Sequence, residues 1–291
     1  MIPPELAGKI RYLEIYTRKA VNDVLAGEYH SVFRGRGIEF EEVREYTPGD
    51  EIRSIDWNVT ARMGHPYVKR YVEERELTVL FVVDLSASGA FGSREKLKNE
   101  AAAEICALLA FSAIKNNDKV GLIVFTDTIE LYIPPKKGAS HVLRLIRDLL
   151  NFRPRQARTD IAGALDYLGR VCHRRAVVFL VSDFLAEGYE GRLRIAAKRH
   201  DLIAVSITDP REMFLPDAGL VELEDAETGE CVVLDSGSPV VRSRYEALAR
   251  ARDIRLRELF HSVGVDRIPV GTGHDAVRDL IGFFRSRGRR R

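Results

Sequence analysis

The stretch Val79-Leu80-Phe81-Val82-Val83-Asp84-Leu85-Ser86-Ala87-Ser88 runs five apolar residues into an aspartate, with serines two and four positions later. The apolar run lacks period-two alternation, so it reads as a strand buried on both faces, as in parallel sheets. A carboxylate and two hydroxyls then leave its C-terminal end, where open α/β sheets place their ligands. Oxygen donors gathered in one loop suit a hard divalent cation, Mg²⁺ above all, with Mn²⁺ or Ca²⁺ as alternatives. An Asx or Ser turn capping the next helix accounts for the same residues. On this stretch alone both readings stand.

Strand and helix patterns alternate on the C-terminal side. Lys96–Lys115 is rich in Ala and Leu and reads as a helix, Val120–Phe125 as a strand with a short partner at Ile129–Ile133. Helices are expected at His141–Leu150 and Ile161–Val171, the second behind the N-cap candidate Asp160. Ala176–Val181 and Leu202–Ile207 are further apolar strands, separated by a helix at Tyr189–Lys198. Strands spaced by helices of this length imply right-handed crossovers and a doubly wound, mostly parallel sheet. Leu220–Leu223 and Cys231–Leu234 flank Asp225-Ala226-Glu227-Thr228-Gly229 as a hairpin, so residues 209–236 read as an excursion. A long arginine-rich helix at Tyr245–Phe260, a strand at Val265–Val270 and a helix at Ala276–Phe284 complete the domain, set at residues 78–291.

Residues 1–77 read as an accessory region. Pro3 and Pro4 open a helix with an apolar stripe from Leu6 to Val24, and Gly27 is its expected terminator. Ser31–Leu77 is charged and glycine-rich, with short alternations that predict strands and turns. The dense Arg, Glu and Asp of Arg34–Trp57 read as a salt-bridge network, and Trp57, the only tryptophan, as an anchor against the main domain.

Composition narrows the function classes. The 291 residues are 45% hydrophobic and 30% charged, with a net charge of +2, so no whole-molecule field recruits nucleic acid. The arginines at 285, 287, 289, 290 and 291 read as a solvated terminus. Three scattered cysteines give neither a disulfide framework nor a zinc site. No run approaches 18 apolar residues and no signal pattern opens the chain, so a soluble cytoplasmic protein is expected. There is no G-x-x-x-x-G-K-[ST] loop, and Ser86 has no evident triad partner. Gly35-Arg36-Gly37 fails as a dinucleotide fingerprint, because Phe40 stands at its third glycine. Asp84 as the nucleophile of a Mg²⁺-dependent hydrolase is the alternative from another class. The haloacid-dehalogenase pattern, however, wants a second aspartate where Ser86 stands.

Two more oxygen clusters fall at strand ends or helix starts, Arg158-Thr159-Asp160 and Val181-Ser182-Asp183. A parallel sheet brings Asp84 and Asp183 to one edge, and Thr159 arrives through the loop ahead of its helix. Five donors then converge: Asp84, Ser86, Ser88, Thr159 and Asp183. Two carboxylates and three hydroxyls leave a divalent ion partly hydrated and able to accept one more carboxylate.

Asp84-Leu85-Ser86-Ala87-Ser88 with Thr159 and Asp183 resembles the metal-ion-dependent adhesion site of von Willebrand factor A domains. Phe33-Arg34-Gly35-Arg36-Gly37-Ile38-Glu39-Phe40, Arg44-Glu45-Tyr46-Thr47-Pro48-Gly49-Asp50 and Arg53-Ser54-Ile55-Asp56-Trp57 resemble the signature of the domain of unknown function 58 family. Leu215-Pro216-Asp217 and Asp225–Gly229 are similar to it as well. The resemblance implies a von Willebrand A-like fold and a non-enzymatic binding module whose five donors hold Mg²⁺ while a partner supplies an acidic side chain. It also implies an adaptor or co-chaperone of a MoxR-type AAA+ ATPase acting on a client protein. Gly89 departs from the pattern, since many such domains carry a bulky residue there.

Overall fold

A strand without polar side chains on either face requires a layer above and below it, and both are present. The computed structural model describes residues 16, 21, 25–33, 39–72, 76–93 and 96–290. In chain order its elements are α1 (Ala26–Val32), β1 (Glu39–Glu45), α2 (Trp57–Met63), β2 (Tyr67–Val72), β3 (Thr78–Asp84), α3 (Lys98–Lys115), β4 (Lys119–Phe125) and β5 (Ile129–Lys136). There follow α4 (Ala139–Leu150), α5 (Ile161–Val171), β6 (Val177–Ser182), α6 (Glu190–Arg199), β7 (Asp201–Thr208), α7 (Pro210–Met213), β8 (Leu220–Glu224), β9 (Cys231–Asp235), α8 (Pro239–Val263), β10 (Asp266–Gly271) and α9 (Ala276–Gly288).

Six strands form one sheet in the order β10-β7-β6-β3-β4-β5. All pairs are parallel except β4 with β5. The fold is a von Willebrand A-like α/β sheet. The order reverses at β3: the next strand, β4, lies on one side, and β6 returns on the other. That crevice between β3 and β6 is the topological switch point, outside whose carboxyl ends α/β proteins bind ligands.

Helix α3 explains why the sheet can be apolar throughout. Its residues Ala101–Ala113 are all buried, so it is a core helix without a solvent face. It packs against β3, β4, β7 and α4. Fully buried side chains such as Leu108 and Leu109 each contribute about 1.5–3 kcal/mol relative to exposure. The opposite layer rests on α5, α6 and α8, with Leu165, Leu168, Leu193 and Phe260 facing the strands.

The two compact units are Met1–Val32 with Thr78–Arg291, and Phe33–Leu77. The accessory unit therefore begins at Phe33, and α1 groups with the α/β unit. The cause is Tyr29, fully buried, whose ring lies edge-on to Phe284 at 5.9 Å and whose hydroxyl donates to Asp118 at 3.1 Å. Gly27 lies inside α1 and does not terminate a helix. The stripe expected from Leu6 to Val24 falls almost wholly outside the described residues, as does Arg34–Ile38.

Within the smaller unit β1 pairs antiparallel with β2. Helix α2 stands where only strands and turns were expected; Asp56 caps its N-terminus by accepting from Asn58 and Val59 N–H, and Gly64 closes it at φ 78°. Asp50 accepts from Arg44 through both oxygens, at 2.9 and 2.6 Å. That pair and Thr47 hold the Asp50 carboxyl down at about 2. Within the smaller unit Trp57, Ile52 and Met63 are exposed, and Trp57 is not part of that unit's own core.

Residues 220–235 form a two-stranded sheet of their own, β8 with β9, inside the α/β unit. Both strands of this hairpin carry exposed apolar residues, Leu220 on β8 and Val232 and Val233 on β9. Its base is clamped: Ser236 N–H and Oγ both donate to Gly219 O, at 2.7 and 2.8 Å.

Candidate metal centre

Parallel register sets the site. Val83 of β3 lies opposite Val181 of β6, so the next residues, Asp84 and Ser182, emerge side by side at the switch point. Ser182 Oγ donates to Asp84 Oδ2 at 2.7 Å, and Ser86 N–H donates to Asp84 Oδ1 at 3.0 Å. The Asx turn that competes with the metal reading is therefore present, and it leaves Ser86 and Ser88 pointing together, their Oγ atoms 3.1 Å apart. One pocket gathers Asp84, Ser86, Ser88, Lys98, Ser182 and Asp183.

Asp183 is aimed by a strained turn. Phe184 takes φ 57°, a left-handed conformation that costs a bulky residue about 1–3 kcal/mol. Phe184 N–H donates to Ser182 Oγ, Leu185 N–H donates to Asp183 Oδ1, and the Phe184 ring is fixed edge-on to Phe260 at 5.1 Å. The strain is held by packing.

The cation that faces Asp183 is a lysine. Lys98, only 3% exposed, places Nζ 2.7 Å from Asp183 Oδ2 and 2.6 Å from Glu212 Oε1. Burial works against its charge, but Asp183 and Glu212 outweigh burial and raise its pKa. A lysine in the first turn of an apolar helix opposes the helix dipole and needs nearby carboxylates, but the sequence does not say which ones. Asp84 differs. Among the described residues no ammonium or guanidinium pairs with it, and burial, then Asp183, push its carboxyl up to about 6.

Thr159 arrives by a separate route. Ala87 N–H donates to Ala157 O at 2.9 Å, and Asp160 N–H to Thr126 O at 2.8 Å, which ties the Thr159 loop beside the serine loop. Asp160 caps α5 through Gly163 N–H, as its position predicts. Thr159 is not among the residues lining the pocket; its hydroxyl donates instead to Glu227 Oε1, 2.6 Å away at the turn between β8 and β9. Nothing local in the sequence announces that contact, which spans 68 residues. Gly89 is explained by its neighbour: a Cβ there would stand 1.9 Å from Asn99 Oδ1 of α3, so the amide fills the space.

The donor chemistry fits a hard divalent ion: carboxylate and hydroxyl oxygens, with a buried carboxylate that positive charge would relieve. Among the described residues no three His, Cys, Asp or Glu side chains form a metal-holding group, so such a site depends on the hydroxyls.

Comparison with known proteins decides the family. The model described as "Protein of unknown function DUF58" matches residues 42–255. The chain belongs to the DUF58 family. This DUF58 protein is 33% identical over 290 residues to an uncharacterized protein of Mycobacterium tuberculosis, an alignment covering 98% of this chain and 91% of the relative. It is 26% identical over 145 residues to the uncharacterized protein YeaD of Bacillus subtilis, covering 50% and 34% of the two chains. Among solved structures, an aerotolerance-related membrane protein from Bacteroides fragilis superposes with a TM-score of 0.51 at 16% identity, over 73% of the DUF58 chain and 99% of the other. The VWA domain of SpRpn10 superposes less closely, at TM-score 0.43 and 11% identity over 71% and 94%. These likenesses concern the fold. No helix among the described residues is long and apolar enough to cross a membrane.

Proposed function

We propose that this DUF58 chain is a cation-dependent protein-binding module in the cytoplasm. In this reading it acts as an adaptor or co-chaperone of a MoxR-type AAA+ ATPase in the assembly or maturation of a client protein. The von Willebrand A-like fold supports a protein-interaction role. The observation that carries the metal dependence is the convergence of Asp84, Ser86, Ser88 and Asp183 in one pocket at the switch point, with Thr159 on the adjoining loop. Asp84, the two serines and Asp183, which also pairs with Lys98, would hold Mg²⁺. When bound, the ion supplies positive charge that accepts a carboxylate from a partner. Lys98 holds Asp183 in place, and Ser182 fixes the Asp84 carboxylate.

The alternative, a hydrolase using Asp84, wants a second aspartate two positions on for the acid/base step, where this chain has Ser86. Pull-down of a purified MoxR-type ATPase tests the reading. Capture is expected with Mg²⁺, and is expected to be lost with chelator and in the double variant Ser86→Ala/Ser88→Ala. Equal capture in every condition removes the metal site from the interaction. Mg²⁺-dependent turnover of a generic phosphate ester that disappears in Asp84→Asn would replace the adaptor with an enzyme.

A further inference from the structure

A partner's carboxylate, if it binds at this cation site, has a competitor in the same chain. Glu227 sits at the tip of the β8–β9 hairpin, and its carboxylate accepts the Thr159 hydroxyl at 2.6 Å. The turn is otherwise self-contained. Asp225 accepts from Glu227 and Thr228 N–H through Oδ1, and Asp225 and Gly229 close it through the backbone. Among the described residues, the Thr159 contact is the one hydrogen bond from residues 225–230 to a part of the chain outside the hairpin; within the hairpin Cys231 Sγ donates to Gly229 O. The hairpin pairs with no other strand among the described residues, exposes apolar residues on both strands, and is anchored at its base by Ser236 on Gly219, where φ is 73°. A clamped base and a tip held by one contact make a lever.

We propose that Glu227 is the chain's own occupant of the acid-accepting position beside Thr159, so that a partner's carboxylate gains the site only when the β8–β9 turn withdraws. This rests on the cation-site reading above and adds to it a built-in competitor. The competition has a size. If the turn holds the position nine-tenths of the time, an external carboxylate binds about tenfold more weakly than to the open form.

The test uses the full chain with two probes: Mg²⁺ alone, and a fluorescent peptide with a single glutamate at saturating Mg²⁺. Glu227→Gln removes the charge at the half-buried tip while keeping the size of the side chain. Glu230→Gln makes the same charge change on the same hairpin without touching Thr159. Asp84→Asn reports on the cation site itself. Cys231 adds a readout of the turn, because it is exposed while Cys106 and Cys172 are buried, so a nitroxide attaches there selectively. The expected result is weaker Mg²⁺ binding and about tenfold tighter peptide binding in Glu227→Gln, with Glu230→Gln like wild type. The nitroxide should become more mobile when peptide binds to the wild-type chain. The proposal is overturned if Mg²⁺ binds in an Asp84-dependent way while Glu227→Gln leaves both affinities unchanged. It is also overturned if Glu230→Gln has the same effect as Glu227→Gln. If wild type and Asp84→Asn bind Mg²⁺ equally or not at all, the cation site falls and this inference falls with it.

Discussion

Lys98→Met removes the ammonium that two carboxylates share while keeping the volume and apolar reach of the side chain. In wild type Lys98 is 3% exposed, Asp183 7% and Glu212 17%. Breaking a buried pair costs about 3–5 kcal/mol, because the partner left behind keeps its charge without compensation. Glu212 has some access to water, so the lower end, about 3 kcal/mol, is expected. In a unit of this size each kcal/mol moves the melting temperature by about 2–4 °C, giving a fall of about 6–12 °C. Mg²⁺ supplies a second arm of the experiment. In the variant Asp183 loses its lysine, so the cation should stabilise Lys98→Met more than wild type, with a ceiling of about 2.7 kcal/mol at a hundred times the dissociation constant. Calorimetry or denaturant titration with and without Mg²⁺ measures both effects. A loss below about 1 kcal/mol, the range of an exposed pair, would refute the argument that this triad is buried and charged.

Further outcomes follow from other parts of the molecule. His200 is buried and, among the described residues, neither ring nitrogen has a hydrogen-bond partner, while burial, then Arg199 and Arg175, lower its pKa from 6.5 to about 4. The unfolded chain then binds the proton first, so stability is full above pH 6.5 and falls as the pH drops towards 4. The loss is about 2–3 kcal/mol by about pH 4.5, and His200→Leu should flatten that slope relative to wild type in urea titrations. A Cβ on Gly121 of β4 would meet Leu80 Cδ2 at 2.8 Å and Ile133 O at 3.0 Å, so Gly121→Ala should destabilise by about 1–3 kcal/mol, measured by the same titrations. In a carboxyl NMR titration Asp50 should titrate near 2 and move up towards 3.8 in Arg44→Gln.

The sheet was legible because its strands are apolar on both faces and its helices are periodic. Helix α5 runs from Ile161 to Val171 as the pattern predicts. Helix α8 starts at Pro239, ahead of the expected Tyr245. Its first turns expose Val240, so no apolar stripe marks them, although a proline at the first helical position is itself a start signal. Helix α2 was hidden for the same reason, since none of its residues is buried and only the Asp56 and Gly64 caps betray it. Asp84 and Asp183 could be placed because a carboxylate at the end of a buried strand has one address in a parallel sheet. Lys98, Glu212 and Glu227 could not, because the contacts they make span 85, 114 and 68 residues along the chain. Contacts of that kind depend on loop paths that no local pattern encodes.

The edge strands carry a last consequence. β5 contains Pro134 and Pro135, and β10 contains Pro269. Each proline removes an N–H donor and is tolerated in sheets mainly at such margins. Both margins are thereby blunted against a seventh strand, whether from another copy or from an extended peptide. Assembly by sheet extension is discouraged, and recognition is directed to the loops and helices that surround the sheet.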